Sequence, residues 1–402
     1  MRTLAWPLSP AEFNDVRDRL RFDFCKWDVF HRGRDDLLPD ALVLSQAEHD
    51  QLVAIAKACW QALRPMEKTL ADDPERLHAM GIPDALRPAM AGAHPAVGRL
   101  SRCDFHLAVG GRWVISEFNE DSPGGLVESH GLHRALDEAF ADRFAGLRPA
   151  GDLRPALLQA FAPYPRIGLV YATGYSLDLQ PMALLADWLR EAGHEVALGS
   201  PANLSFDGSQ AYLLEQPVDA LYRFYPGEWL DALPNADIWL RAVRELPMLN
   251  TLPALVAQSK CFYAAIEETG LLADSTDRER LEAHLPPSRF LKPDMLNELV
   301  AQRTDWVLKS AFGRMGDTVL LGIGASPEQW QKRLEQALQD DQPYVVQARF
   351  DAVPFWFSSG MAYPTVGLFL LDGEFAGYYS RVSPYPVIDF NARHVTTLVE
   401  TA

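Results

Sequence analysis

The chain of 402 residues is long enough for an enzyme of two or three subdomains, and its 48% hydrophobic and 23% charged residues are ordinary for a globular protein. A net charge of −17 argues against a nucleic-acid partner, which needs a basic face, and no stretch reaches the roughly 18 apolar residues of a membrane span. The four cysteines form no CxxC pair, which argues against structural zinc or a disulfide framework and favours a cytoplasmic protein with reduced thiols.

The first part of the chain predicts a helix followed by a hairpin. Ser45 and Glu48 form a capping box before a run of apolar residues at helical spacing. Two alternating runs, 102–109 and 112–119, flank a Gly-Gly pair, which is typical of a β-hairpin.

The middle of the chain has a different pattern, in which strands alternate with a helix. These elements are expected at 166–171, 180–192, 195–198 and 220–224. A strand–helix–strand order predicts a small parallel α/β subdomain over 164–245. We therefore expect a helical region with the hairpin over 1–163, and a nucleotide-binding part over 246–402.

The C-terminal part predicts a helix at 251–270 and then antiparallel strands, with Asp372-Gly373 as a strong hairpin turn. The strands are expected at 306–311, 318–322, 344–350, 365–371 and 374–381. The predicted fold class is α+β / α/β, with antiparallel sheets and one small parallel α/β subdomain.

The hairpin at 102–119 carries the most informative polar pattern. If its two glycines form a two-residue turn, Asp104 faces Glu117 and Arg102 faces Asn119. Because side chains alternate between the faces of a strand, all four then project from one face.

Facing carboxylates repel each other unless a cation lies between them. Asp104, Glu117 and Asn119 offer the hard oxygen ligands that Mg²⁺ prefers, and Arg102 is suited to a phosphate or carboxylate oxygen. A solvated polar face explains the same residues, and a register slip of one residue would break the geometry. The residue types alone leave both interpretations open.

A second candidate site lies at 306–319, where Lys309 precedes a loop that contains Gly313, Arg314 and Gly316. Small residues let backbone N–H groups approach phosphate oxygens, and the two cations are suited to neutralise them. The loop is not a Walker A motif, because the G-K-[ST] ending is absent. An ordinary β-turn is the alternative.

Other catalytic motifs are missing, since the chain has neither HExxH nor GxSxG. His130 and His133 form an HxxH pair on a predicted helix. Such a pair is more often a surface or core feature than a metal site.

Several segments resemble, in the same order, the glutathionylspermidine synthase-like family. Residues 102–105 resemble its Arg-x-Asp-Phe strand, and 116–128 resemble its Glu-x-Asn-x-Asp-[ST]-Pro segment. The other similar segments are 225–229, 259–260, 307–316, 344–347 and 377–381. The resemblance covers most of the chain after residue 100, and the length leaves no room for the cysteine amidase domain of some members.

This resemblance implies an ATP-grasp-like fold in permuted order, with the metal ligands before the nucleotide-binding lysines. It implies that Asp104, Glu117 and Asn119 hold Mg²⁺. It further implies that Arg102 and Arg381 stabilise an acyl phosphate and the oxyanion formed when an amine attacks it.

The resemblance also implies a nucleotide site. Lys260 and Lys309 would contact the phosphates of ATP, and Gln347 would lie at the adenine hinge. Two departures concern this site: Ser259 stands where the family has Asn, and Ala348 where an acidic residue is usual.

The function that these inferences predict is an ATP- and Mg²⁺-dependent ligase that joins a small-molecule or peptide carboxylate to an amine through an acyl phosphate, releasing ADP. Such a reaction needs charge neutralisation and positioning more than a nucleophilic side chain. The alternatives are a non-catalytic nucleotide-binding protein on the same fold, or another ATP-dependent phosphotransferase or ATPase.

Overall fold

The structure is a computed structural model that describes residues 1–31, 33–273, 275–313, 318–389 and 391–401. Its strands β1 to β22 are, in order, Arg2–Ala5, Phe30–His31, Arg34–Asp35, Leu37–Leu44, Leu100–Leu107, Trp113–Asn119, Leu147–Pro149, Arg166–Tyr171, Glu195–Gly199, Leu204–Asp207, Gln210–Leu213, Gln216–Val218, Ala220–Phe224, Met248–Leu249, Ser288–Phe290, Trp306–Ser310, Leu320–Leu321, Tyr344–Ala348, Phe355–Phe357, Gly360–Leu371, Glu374–Ser383 and Arg393–Glu400.

The α-helices α1 to α12 are Pro10–Phe22, Gln46–Ala71, Pro74–Ala79, Leu126–Phe140, Leu153–Phe161, Ser176–Glu191, Ala236–Glu245, Ala254–Gln258, Phe262–Glu268, Arg278–His284, Leu296–Ala301 and Pro327–Ala337. Short 3₁₀ helices lie at Arg87–Ala89, Ala141–Phe144, Pro201–Asn203, Gly227–Ala232, Pro293–Met295, Arg303–Asp305 and Gly322–Gly324. Within the described ranges, no helix is long and apolar enough to cross a membrane.

A large mixed sheet forms the centre of the molecule, with strand order β1-β4-β22-β21-β20-β5-β6 and with β7 and β19 attached to β22 and β20. One face packs against α2, which begins at the predicted capping box of Ser45 and Glu48. The buried side of α2 joins the same core cluster as Phe105, Leu368 and Tyr378 of the sheet. The opposite face carries Phe369 and Tyr379 in a second core cluster together with α1 and α4.

The hairpin of β20 and β21 lies at the middle of this sheet and confirms the predicted Asp-Gly turn. Leu371 pairs with Glu374 across it. Asp372 and Gly373 both have positive φ, 51° and 82°, as the favoured two-residue hairpin turn requires.

A second sheet is parallel, with order β14-β13-β8-β9, and it confirms the predicted parallel α/β unit. Its helix α6 begins at Ser176, earlier than expected, because Pro181 lies inside the helix and does not mark its first turn. β14 at Met248–Leu249 also joins this sheet. The domain boundaries at 163 and 245 stay a prediction.

A third sheet is antiparallel, with order β15-β18-β16-β17, and it carries Lys309 on β16 and Gln347 on β18. Helix α12 covers it with Trp330 and Leu334, and begins at a capping box formed by Ser326. Antiparallel sheets together with a parallel α/β unit confirm the predicted fold class.

The prediction of one continuous helix over 251–270 was wrong. The structure has two short helices, α8 and α9, separated at Ser259 and Lys260. The Lys260 N–H donates to the carbonyl of Ala311 at 2.8 Å, just beyond the end of β16. This tertiary contact ties the lysine backbone to the third sheet.

Candidate active site

The candidate site lies on the face of the central sheet away from α2, where β5, β6, β20 and β21 run side by side. Asp104 pairs with Glu117, and Arg102 pairs with Asn119, as predicted. Arg381 lies two strands away on β21. The tertiary structure therefore brings all five residues predicted for metal binding and catalysis to one face.

The predicted register is correct although the predicted turn is not. Ala108 donates its N–H to Arg112 at 2.8 Å, so the turn contains three residues and not two. A β-bulge follows between Asp104 and Phe105, where β6 contains one extra residue, Ser116. The longer turn and the bulge offset each other, which restores the pairing of Asp104 with Glu117.

Asp104 is the most completely bound residue of the site and is 2% exposed. Arg102 donates to its two carboxylate oxygens at 2.7 and 2.9 Å. Arg381 donates to its Oδ2 at 2.9 Å. On the adjacent strand β20, Gly367 pairs with Asp104. A Cβ at Gly367 would lie 3.1 Å from the Arg102 side chain and 3.3 Å from the Asp104 carboxylate. A larger residue at this position would crowd the ion pair.

Asn119 lies between the two carboxylates of the hairpin. Its amide nitrogen is 3.3 Å from Oδ2 of Asp104 and 3.4 Å from Oε1 of Glu117. Glu117 is 30% exposed at the side chain and forms an ion pair with Lys260 at 3.3 Å. Burial by itself raises the pKa of Glu117, but nearby lysines and arginines outweigh that effect and lower it well below its usual range. Glu117 is therefore ionised at neutral pH.

The two lysines predicted to bind phosphate reach the same place from different segments. Lys309 donates to Oε1 of Gln347 at 2.6 Å and to the carbonyl of Ser116 at 3.3 Å. Lys260 donates to the carbonyl of Gly313 at 2.7 Å. Burial lowers the pKa of Lys309 to about 8; the positive charge of Lys260 acts in the same direction, and the negative charge of Glu117 opposes the shift.

Gln347 is 3% exposed and bridges Lys309 to Ser288, with its amide nitrogen 3.1 Å from the serine hydroxyl. It thus fixes the lysine within the third sheet. Its predicted role at an adenine hinge is not tested by these contacts and stays a prediction. The predictions for Arg314 and Gly316 fall outside the described residues.

The charges of the site do not balance. Arg102, Arg381, Lys260 and Lys309 surround the carboxylates of Asp104 and Glu117, which leaves an excess of positive charge. A triphosphate would complete such a cluster. An excess of positive charge favours an anionic ligand that carries a bound cation and disfavours a metal ion that binds alone.

The donor set is nevertheless suited to Mg²⁺ once phosphates are present. Asp104, Glu117 and Asn119 converge, with the amide nitrogen of Asn119 facing the two carboxylates. The carboxylate oxygens, and the amide oxygen of Asn119 once that amide turns by half a turn, are the hard ligands that Mg²⁺ takes together with phosphates and water. Across the part of the chain that the structure describes, no group of three or more His, Cys, Asp or Glu side chains is placed to hold a metal ion. The candidate set contains two carboxylates and one amide.

Besides Asp104, the two arginines share a second contact that the sequence did not reveal. The guanidinium carbons of Arg102 and Arg381 each lie 5.1 Å from the centre of the Tyr379 ring. Arg102 also donates to the carbonyl of Gly124 at 2.7 Å. Within the described residues, Nε of Arg381 is buried and has no hydrogen-bond partner. This donor is suited to an oxygen of a bound anion.

The sequence also did not reveal the ion pairs that hold the segment after Asn119. Asp121 and Arg223 are both 0% exposed and lie 2.6 Å apart. Asp121 further accepts the N–H of Gly227 at 2.9 Å, which ties it to the segment 225–229. The only available sequence signal was that both segments resemble the same family.

Glu120 is the neighbouring buried acid and points to other partners. It binds Arg64 at 3.2 Å and Arg99 at 2.6 Å, and the hydroxyl of Ser101 at 2.8 Å. Glu120 and Asp121 therefore anchor the hairpin of β5 and β6 to α2 and to the parallel sheet.

The HxxH pair is placed away from these charges. His130 is 2.8 Å from Asp152 and its ring packs on Trp188. Burial lowers the pKa of His133 to about 4. Both histidines lie on the buried side of α4, which is a structural position.

Comparison with known proteins shows the family of the chain. The sequence profile of the family described as glutathionylspermidine synthase preATP-grasp matches residues 22–400. The chain belongs to this family. No curated protein matches it significantly.

Members of the glutathionylspermidine synthase family have ATP-grasp-type ligase character, so this chain is of that type. Among solved structures, a glutathione synthetase-like effector from Globodera pallida has a TM-score of 0.61 with 11% identity, and the match covers 99% of each chain. At this identity the likeness shows the fold alone. A putative gamma-glutamylcysteine synthetase from Methylobacillus flagellatus has a TM-score of 0.47 with 13% identity, covering 86% of this chain and 87% of that one.

Proposed function

We propose that this protein is an ATP- and Mg²⁺-dependent ligase that joins a carboxylate to an amine through an acyl phosphate and releases ADP. One observation carries the proposal. Two carboxylates and an amide lie on one face of a sheet, and two lysines and two arginines surround them. That is the charge pattern needed to bind a triphosphate with its Mg²⁺ and to stabilise transfer of its terminal group.

The lysines are assigned to the inner phosphates of ATP. Lys309 is 8% exposed and held by Gln347, and Lys260 approaches from the break between α8 and α9. Asp104, Glu117 and Asn119 would hold Mg²⁺, which neutralises charge on the transferred phosphoryl group. These assignments leave Arg102 and Arg381 for the substrate carboxylate.

In the first step, the substrate carboxylate attacks the γ-phosphorus, and the bond to the bridging oxygen of ADP breaks. In the second step, the amine attacks the acyl carbon and phosphate leaves, while the amine loses a proton. Arg102 or Arg381 donates hydrogen bonds to the oxyanion that forms. Stabilisation of this kind is usually the largest single contribution to the rate of an enzyme. A small-molecule or peptide carboxylate and an amine are the proposed substrates.

The products distinguish this proposal from its alternatives. The purified protein is incubated with ATP, Mg²⁺ and mixtures of acids and amines, and nucleotides and amides are identified by mass. With the ¹⁸O-labelled carboxylate of an active substrate, one label should appear in the released phosphate. AMP as the product, or label that stays wholly in the amide, would exclude an acyl phosphate. ATP binding without turnover of any mixture would instead indicate a non-catalytic nucleotide-binding protein.

A further inference from the structure

The β-bulge in the hairpin of β5 and β6 restores the strand register, and it also redirects a backbone carbonyl. A bulge leaves its extra residue outside the regular ladder and redirects its backbone groups. The extra residue is Ser116, and its carbonyl accepts a hydrogen bond from the Lys309 ammonium at 3.3 Å. These residues are 193 positions apart, and the bond joins the central sheet to the third sheet.

A chain of hydrogen bonds holds the bulge from the other side. The hydroxyl of Ser116 donates to the carbonyl of Asp104 at 3.3 Å, so it must accept from Nε2–H of His106, 3.0 Å away. Nδ1 of the neutral ring then accepts from the hydroxyl of Thr365 at 3.4 Å. Thr365 is 2% exposed and pairs with Arg381 across the sheet, so the chain is anchored in the core of the site.

We propose that Ser116 and His106 are positioning residues for Lys309. The bulge presents the Ser116 carbonyl to the ammonium, and His106 keeps the bulge in place. With Gln347 as the other acceptor at 2.6 Å, two neutral oxygens orient the lysine. An ammonium has three N–H donors, so a third can serve a phosphate oxygen.

This inference rests on the proposed function, because it assumes that Lys309 binds a phosphate of ATP. A fixed ammonium loses little side-chain freedom when the nucleotide arrives, whereas a free lysine loses much more. Removal of the bulge should therefore weaken nucleotide binding by about tenfold, the effect of one hydrogen bond to a charged group.

The test uses the full chain and calorimetric titration with a non-hydrolysable ATP analogue and Mg²⁺. Deletion of Ser116 keeps Asp104 opposite Glu117 but removes the extra carbonyl. His106→Leu removes the hydrogen bond to the Ser116 hydroxyl that holds the bulge. His106→Gln restores an N–H donor close to the position of Nε2. Deletion of Gly110 in the exposed turn is the matched control for shortening the hairpin.

We expect deletion of Ser116 and His106→Leu each to weaken binding by about tenfold, and His106→Gln to recover most of the loss. The decisive measurement repeats both in a Lys309→Met background. If Ser116 and His106 act through Lys309, their effects there should fall below about twofold, because coupled residues are non-additive.

Full effects in the Lys309→Met background, or a loss as large from the Gly110 deletion, would show a general role in hairpin stability and overturn the inference. If deletion of Ser116 prevents folding, the His106 pair carries the test. If Lys309→Met alone leaves the affinity unchanged, the lysine assignment in the proposed function fails. If Lys309→Met lowers the affinity but the His106 variants do not, the positioning role is overturned while the proposed function stands.

Discussion

Arg381 on β21 and Asp104 on β5 form an ion pair at 2.9 Å, although 277 residues separate them in the sequence. The same carboxylate binds Arg102, so a predicted metal ligand is the counter-ion of both predicted catalytic arginines. If Mg²⁺ binds this carboxylate as proposed, it would compete with the arginines for the carboxylate oxygens. Occupation of the metal site would therefore free guanidinium donors for substrate.

The first prediction concerns the two carboxylates. Asp104→Asn and Glu117→Gln should each abolish Mg²⁺-dependent turnover, measured as ADP release, because each removes a charged ligand. Circular dichroism should show a folded protein in both. Asp104→Asn should cost the greater free energy of unfolding, about 1.5–3 kcal/mol, because it weakens hydrogen bonds to two arginines. Near wild-type activity in both variants would show that the metal site lies elsewhere.

The second prediction concerns nucleotide affinity. Lys260→Ala and Lys309→Ala should each weaken binding of a non-hydrolysable ATP analogue about tenfold or more, since each removes a cation from the proposed triphosphate site. Calorimetric titration measures the change. Lys57→Ala is the control, because Lys57 pairs with Glu374 at the surface, 2.7 Å away, and lies outside the site. Unchanged affinity in both site variants would contradict the assignment.

The third prediction separates catalysis from binding. Arg102→Ala and Arg381→Ala should lower kcat by on the order of 10²-fold, the scale of losing one preorganised oxyanion donor. The affinity for ATP should change much less. Steady-state kinetics together with direct titration give both quantities. A loss confined to nucleotide affinity would assign these arginines to ATP and not to the acyl group.

The fourth prediction concerns pH. Burial lowers the pKa of Lys309 from 10.5 to about 8, with Lys260 adding to the shift and Glu117 opposing it. A bound triphosphate favours the charged lysine, so binding should take up a proton above pH 8, and affinity should fall as pH rises. Calorimetry in buffers of different ionisation enthalpy measures the uptake. Lys309→Arg should abolish this dependence, because arginine stays charged; an unchanged profile would assign the titration to another group.

The lowered pKa of Lys309 also makes the stability of the protein depend on pH in a definite direction. Because the folded pKa is depressed, Lys309 opposes folding below pH 8, and that penalty disappears as pH rises toward 10.5. In the ligand-free protein, the wild type should therefore gain free energy of unfolding relative to Lys309→Met between these values. Urea titrations at several pH values measure this difference.

The fifth prediction concerns the buried ion pair of Asp121 and Arg223. Asp121→Asn or Arg223→Met should each destabilise the protein by about 3–5 kcal/mol, because each leaves a buried charge without the opposite charge of its partner. The double variant should cost less than the sum of the two. Arg278→Ala, which breaks an exposed pair with Glu282 at 2.7 Å, should change stability by less than about 1 kcal/mol. Additive losses at Asp121 and Arg223 would show that the two charges do not depend on each other.

The pairing of β5 with β6 could be predicted from the sequence. Alternation placed Arg102 and Asp104 on one face and paired them with Asn119 and Glu117, and the structure confirms both pairs. The turn has three residues and not the two expected, and the pairs are nevertheless correct because the bulge at Ser116 offsets the extra turn residue. A bulge has no sequence signal of its own, since it depends on contacts with other strands.

The sequence by itself determined the local elements, their order and the residue types of the site. Capping boxes, turn glycines and period-two patterns are short-range effects, and short-range effects can be read along a chain. Only the tertiary structure decided that Arg381, Lys260 and Lys309 meet Asp104 and Glu117, because their separations are bridged by sheet pairing and buried ion pairs. It also decided the charge state of Lys309, since a pKa depends on burial and on neighbours from distant segments.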